Sequence, residues 1–149
     1  MVGLQPSARI YRLLPPGRKL TGERGAAAVE FALVAGLLLT LLLAMVELGL
    51  VLDAQLVVSM AAREAARQAA VDGGASDKAY QRAEQTLQLG ALDPALATVE
   101  IWPRQASYGT VVRARVCYPY TFLTHALEWV GGRVLELKAE AVTRSEKVR

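Results

Sequence analysis

Fourteen carboxylates, one cysteine and one histidine are the groups of this 149-residue chain that could do chemistry. Cys117 stands alone, which leaves no internal disulfide and no cysteine-based metal site. It reads as a small buried apolar residue, with intermolecular pairing in an oxidising compartment as the other reading. His125 is equally alone and reads as a packing or capping group. No metal-ligand spacing and no phosphate-binding glycine loop after a strand occurs. The acids scatter over amphipathic faces, the pattern of solvated surface. Catalytic residues, a metal and cofactors are therefore not expected, and the chain does not read as an enzyme. One carboxylate differs from the rest. Glu30 lies in Arg24-Gly25-Ala26-Ala27-Ala28-Val29-Glu30-Phe31, at the mouth of a long apolar run. A carboxylate inside a membrane is expensive and calls for a partner.

The element that must position Glu30 is a helix. Phe31 to Val46 carries no charge, Glu47 interrupts once, and Leu48 to Leu52 continues the run. A helix over 26–52 would be ~40 Å long, enough to cross a hydrocarbon core of ~30 Å with some tilt. Within it Ala28, Ala32, Gly36, Thr40 and Ala44 recur every four residues. Small side chains at this spacing let membrane helices approach closely. Glu47 sits near the outer interface, where snorkelling and an intersubunit contact are the two readings.

Charge fixes the expected orientation. Residues 1–25 carry Arg9, Arg12, Arg18, Lys19 and Arg24 against Glu23, a net +4, while the remainder nets −1. This is a positive-inside signal rather than a nucleic-acid patch, and nothing downstream interleaves basic and aromatic residues as nucleic acid would require. The N-terminus is expected in the cytoplasm and the residues after about 52 on the far side. Pro6, Pro15, Pro16, Gly17 and Gly22 among scattered charges make residues 1–24 an expected disordered leader.

Past Leu52 the pattern turns amphipathic. Ala54, Val58, Ala61, Ala62, Ala65 and Ala69 share one side, and Asp53, Arg63, Glu64 and Arg67 another, the period of a helix lying on a core. One long helix is thus expected over 26–71, stopped by Asp72-Gly73-Gly74. Ser76 offers an N-cap for a second helix from Asp77 to Leu89, with Ala79, Ala83 and Leu87 inward and Gly90 at its end. Strands are expected at 98–102, at 110–118 with Pro119 as the stop, and at 133–143. Val112, Ala114, Val116 and Tyr118 alternate with Arg113, Arg115 and Cys117, and Leu135, Leu137, Ala139 and Ala141 with Glu136, Lys138 and Glu140. Outward arginines and glutamates predict cross-strand pairs. Thr121 to Val130 is expected as a short helix or turn, and Ser145 to Arg149 as a charged tail. The fold class is α+β: a long N-terminal membrane-spanning helix continuing into a small domain with a second helix and a three-stranded antiparallel sheet. The organisation is a leader at 1–25, a span at 26–52 and an extracytoplasmic domain at 53–149.

Three segments carry a family resemblance: the opening Arg24 to Val34, Val46-Glu47-Leu48-Gly49 at the outer end of the span, and Ala61-Ala62-Arg63-Glu64-Ala65-Ala66-Arg67-Gln68-Ala69-Ala70 beyond it. Together they resemble the TadE-like family, the minor pilins or pseudopilins of tight-adherence (Flp-type, type IVc) pili in bacteria. One departure is Gly36, where family members often carry proline. Proline would kink the helix, whereas glycine only weakens it.

The resemblance implies a pilin-like fold and a role in pilus biogenesis or assembly. It also implies a cut by a membrane-embedded prepilin peptidase between Gly25 and Ala26, which removes the leader and makes Glu30 the fifth mature residue. Implied partners are that peptidase, other pilin or pseudopilin subunits, the assembly machinery and membrane lipid. The implied location is the bacterial inner membrane, single-pass, with the C-terminal domain periplasmic or carried into an extracellular pilus. Cleavage would create an α-amine at Ala26, cationic below a pKa of ~7.7–8.0, which in an assembly can meet Glu30 of a neighbour. Snorkelling to the headgroups is the other reading of Glu30, and an ordinary loop glycine the other reading of Gly25. Competing functions are a membrane-anchored adaptor that keeps its leader and a secreted domain behind a signal peptide. No small-x-small site convincingly follows the apolar run to support the latter.

Overall fold

Residues 20–123, 132 and 134–147 are described by a computed structural model, with side chains from Gly25 onward. The elements run α1 (Leu20–Asp72), α2 (Asp77–Leu89), a 3-10 turn (Pro94–Leu96), β1 (Thr98–Trp102), β2 (Val111–Thr121) and β3 (Val134–Arg144). The chain divides into two units, residues 1–38 and 39–149.

The described part of the first unit is helix. It includes Leu20 to Arg24, so the disorder expected for the leader does not extend to them. The three alanines at 26–28 are the strongest of helix formers and support the turn before them. The remainder of the leader lies outside the described residues.

The second unit is built on the alanine-rich face of α1. Its buried positions are Glu47, Val51, Ala54, Val58, Ala61, Ala62, Ala65, Ala66, Ala69 and Ala70, single positions and then adjacent pairs recurring every three or four residues along one helix face. All but Glu47 and Ala70 join one core with Ala79, Ala83 and Leu87 of α2 and with Ile101, Val112, Ala114, Val116, Tyr118, Tyr120 and Leu137 of the sheet. Alanine keeps this face flat, so the bulk comes from the sheet side and from Leu87. The rings of Tyr120 and Phe122 meet edge to face with centroids 6.0 Å apart.

The sheet is an antiparallel meander in the order β1-β2-β3, as expected. Register follows from burying one face of each strand, because a one-residue slip would turn every apolar side chain outward. Glu100 pairs with Arg115, and Arg115 with Glu140. The expected outward ion pairs form: Arg115 Nη2 lies 2.8 Å from Glu140 Oε2, and Arg113 Nη1 lies 3.7 Å from Glu140 Oε1. Arg115 also lies over the Trp102 ring, 5.4 Å from its centroid.

α2 has the expected bounds, and the Ser76 hydroxyl accepts from the Ala79 amide at 3.2 Å. Gly73 and Gly74 follow α1 with φ of 79° and 127°, the left-handed region that glycine enters without steric cost. Gly90 is different. Its φ is −87°, and a Cβ there would stand 2.4 Å from Val57 Cγ1. Close approach of α2 to α1, not turn geometry, requires that glycine.

Three expectations are corrected. Pro119 does not stop β2, which runs to Thr121 with Pro119 opposite Glu136. Among the described residues β1 flanks β2 only as far as Cys117, so a residue without N–H beyond it leaves no bond to β1 unmade. Cys117 is only half-buried, a free thiol on the outward face between two arginine-bearing positions and Pro119. Ser145 does not belong to a solvated tail: it is buried, its amide donates to Thr110 O at 2.8 Å, and Glu146 N donates to Ala70 O at 3.0 Å. Of the segment expected as a short helix or turn, Thr121 lies in β2, while His125, Leu127 and Trp129 lie outside the described residues.

Candidate functional site

The residues singled out for processing and assembly all lie on α1. Gly25, Ala26, Glu30, Ala28, Ala32, Gly36 and Thr40 are exposed, and Ala44 is half-buried. From 26 to 46 no residue is buried, and Phe31 is 75% exposed, Leu33 72% and Met45 70%. Those 21 positions span ~31 Å of helix, close to a hydrocarbon thickness. Exposure of this kind is tolerable in lipid or in an apolar bundle, not in water.

Helical spacing arranges the polar groups within that surface. Ala26 and Glu30 are four apart and therefore neighbours on one face. An amine created at Ala26 would stand one turn above the Glu30 carboxylate of its own chain. Ala28, Ala32, Gly36, Thr40 and Ala44 form an i±4n row. Such rows run obliquely to the helix axis and take a neighbouring helix at a crossing angle. α1 stays helical through Gly36.

Glu47 lies elsewhere than expected. It is 1% exposed, the first buried residue along α1, and it belongs to the second unit. Snorkelling at a lipid interface is overturned. Its charge is felt at Tyr120, whose hydroxyl pKa is raised above 10.0, first by burial and second by the Glu47 carboxylate. The sign was available earlier: Glu47, Val51, Ala54 and Val58 fall three and four apart, so periodicity alone assigns Glu47 to the core face.

Opposite that face, α1 stays apolar beyond Glu47. Leu48, Leu52, Leu56 and Met60 are 53%, 57%, 59% and 53% exposed, four residues apart along a single row. In the sequence the row shows only as an apolar residue at every fourth position, beside the alanine face that the helical period picks out first.

At the far end of α1 a cleft is lined by Asp72, Gly73, Gly74, Arg104, Gln105 and Lys147. Its polar groups serve the fold: Lys147 Nζ donates to Asp72 O at 2.9 Å, Gln68 Nε2 donates to Asp72 Oδ1 at 3.1 Å, and the Ser76 hydroxyl donates to Asp72 Oδ2. No group of histidines, cysteines and acids suited to a metal occurs among the described residues.

These features define a class: an α+β protein with, among the described residues, one candidate membrane span, carried on a helix from Gly25 to Asp72 that is long and apolar enough to cross. The family model described as TadE-like protein matches residues 25–67, the family that the opening residues resemble. The match takes in the exposed apolar segment, Glu47 and most of the alanine face, and ends before α2 and the sheet. It suggests a role in tight-adherence pilus systems and membrane anchoring, and the family is not one of enzymes. No curated protein and no solved structure matches the chain.

Proposed function

We propose that the chain is a minor pilin or pseudopilin that enters a tight-adherence pilus, or the apparatus that builds it, after a prepilin peptidase cuts between Gly25 and Ala26. The observation that carries this reading is the apolar surface of α1. It runs from the exposed segment at 26–46 on through Leu48, Leu52, Leu56 and Met60. A lipid anchor alone explains the first part. Beyond Glu47, where the same helix supports an extracytoplasmic domain, an apolar row asks for protein against it.

In this reading residues 1–25 form a cytoplasmic leader, the span sits in the inner membrane, and the second unit is periplasmic. The partners are the peptidase, other pilin-type subunits, the assembly machinery and lipid. Glu30 pairs with the Ala26 amine across subunits. Each charge is costly alone in an apolar bundle, and pairing recovers much of that cost, so Glu30 selects register and partner. The small row from Ala28 to Ala44 lets the helices close.

The test is intact mass and terminal sequencing of the protein from cells that hold their own prepilin peptidase. A chain beginning at Ala26 is expected. A chain retaining residues 1–25 would make it a membrane-anchored adaptor. With processing established, Glu30→Gln should insert normally and fail to assemble; normal assembly would remove the pairing role.

A further inference from the structure

We propose that α1 opens locally at Gly22 and Gly25 to present the 25–26 peptide bond in extended form, and that Gly22 sets how fast this happens. The inference rests on the processing reading above. α1 runs through the 25–26 bond without a break. In a helix the Gly25 carbonyl accepts from the amide four residues on, and the flanking turns screen its carbon from an attacking water. Hydrolysis breaks the 25–26 C–N bond with one water, leaving a carboxylate on Gly25 and an amine on Ala26. That attack needs the backbone unwound.

The resting helix gives Gly25 no role. A Cβ built there meets nothing within 4 Å, and its φ is not among the positive ones. Alanine would fit and would hold the helix better. A glycine in a helix interior makes opening about four- to fivefold easier than alanine does. Leu20-Thr21-Gly22-Glu23-Arg24-Gly25 places two glycines in the six helical residues before the bond. Ala26-Ala27-Ala28 follows and confines the opening, since alanine is the strongest helix former. The weak segment therefore ends at the bond to be cut.

The experiment uses the full chain in lipid vesicles with purified prepilin peptidase below saturation, following appearance of the Ala26 terminus by intact mass. Gly22→Ala should slow cleavage about four- to fivefold. Ala27→Gly, on the other side of the bond, should speed it by a similar factor, and the double variant should return to the parent rate. Amide exchange over residues 20–27 should move with the rates. Altered exchange with unaltered rates would overturn the inference while leaving processing intact, as would a double variant that stays slow, which would make Gly22 a direct contact of the protease. No cut in the parent chain would overturn the processing reading itself, and this inference with it.

Discussion

The Ser145 hydroxyl lies 3.3 Å from the carbonyl oxygen of Ala70, joining the end of β3 to the last turn of α1 across 75 positions of sequence. The same hydroxyl stands 3.5 Å from Ala106 O, and Gly109 N donates to Ser145 O at 2.9 Å. The chain after β3 is thus sewn onto the distal end of the helix. Ser145→Ala removes only the hydroxyl and leaves these buried carbonyls short of a donor, which costs about 1–3 kcal/mol. Thermal unfolding of the full chain in detergent should show it, and an unchanged midpoint would reduce Ser145 to a spacer.

Gly90 and Val57 make a second, purely steric pair. Gly90→Ala puts a methyl within 2.4 Å of Val57 Cγ1, and valine cannot swing away because its branch is at Cβ. The expected loss is about 1–3 kcal/mol, the usual range for overpacking. Val57→Ala in the same chain should recover most of it. Without that recovery, the fault would lie in the end of α2 rather than in its contact with α1.

Tyr120 should make the second unit sensitive to alkali. Its pKa is raised in the fold, chiefly by burial and then by Glu47. The neutral phenol is the form the fold favours. Its contribution is complete below the unfolded value of ~10 and is lost as pH rises through the higher folded value. Unfolding midpoints should therefore fall above pH ~10, and Tyr120→Phe should flatten that fall. Glu47→Gln should lower the phenol's pKa without restoring it to 10.0, because burial remains. A phenolate titration of the Glu47→Gln chain that matches the parent would separate the two residues.

What could be read in advance was local. Ser76 and the bounds of α2 follow from a cap and a period held within a few residues. The alternation of β2 and β3 and the Arg115–Glu140 pair follow from one strand period each. What failed depended on where other elements end. Pro119 is harmless only because β1 stops short of it. Ser145 is buried only because Ala70 and Ala106 converge there. Gly90 follows α2 as a terminator would, but the reason for it sits on Val57. Glu47 failed for another cause: a carboxylate beside an apolar run invited a membrane reading, although its helical phase assigned it to the core. For the proposed assembly site, the sequence shows Glu30, Gly25 and the small row equally well, because one helix displays them. The row past Glu47 needed the domain in place to show which side of α1 it leaves open.

That row gives a prediction that separates folding from assembly. Leu56 and Met60 are 59% and 53% exposed, so Leu56→Asp and Met60→Glu leave the core untouched. Surface changes of this kind usually alter stability by less than about 0.5 kcal/mol. If protein packs there, each introduced carboxylate would be desolvated without a partner, and association should weaken by about tenfold or more. Both variants should insert, fold and unfold at the parent temperature, yet be lost from the assembled material after crosslinking and fractionation. Normal recovery of both in the assembly would mean that this face of α1 meets water after all. The subunit contacts would then be confined to residues 26–46, where the same lesion, placed at Leu33, should be the one that abolishes assembly.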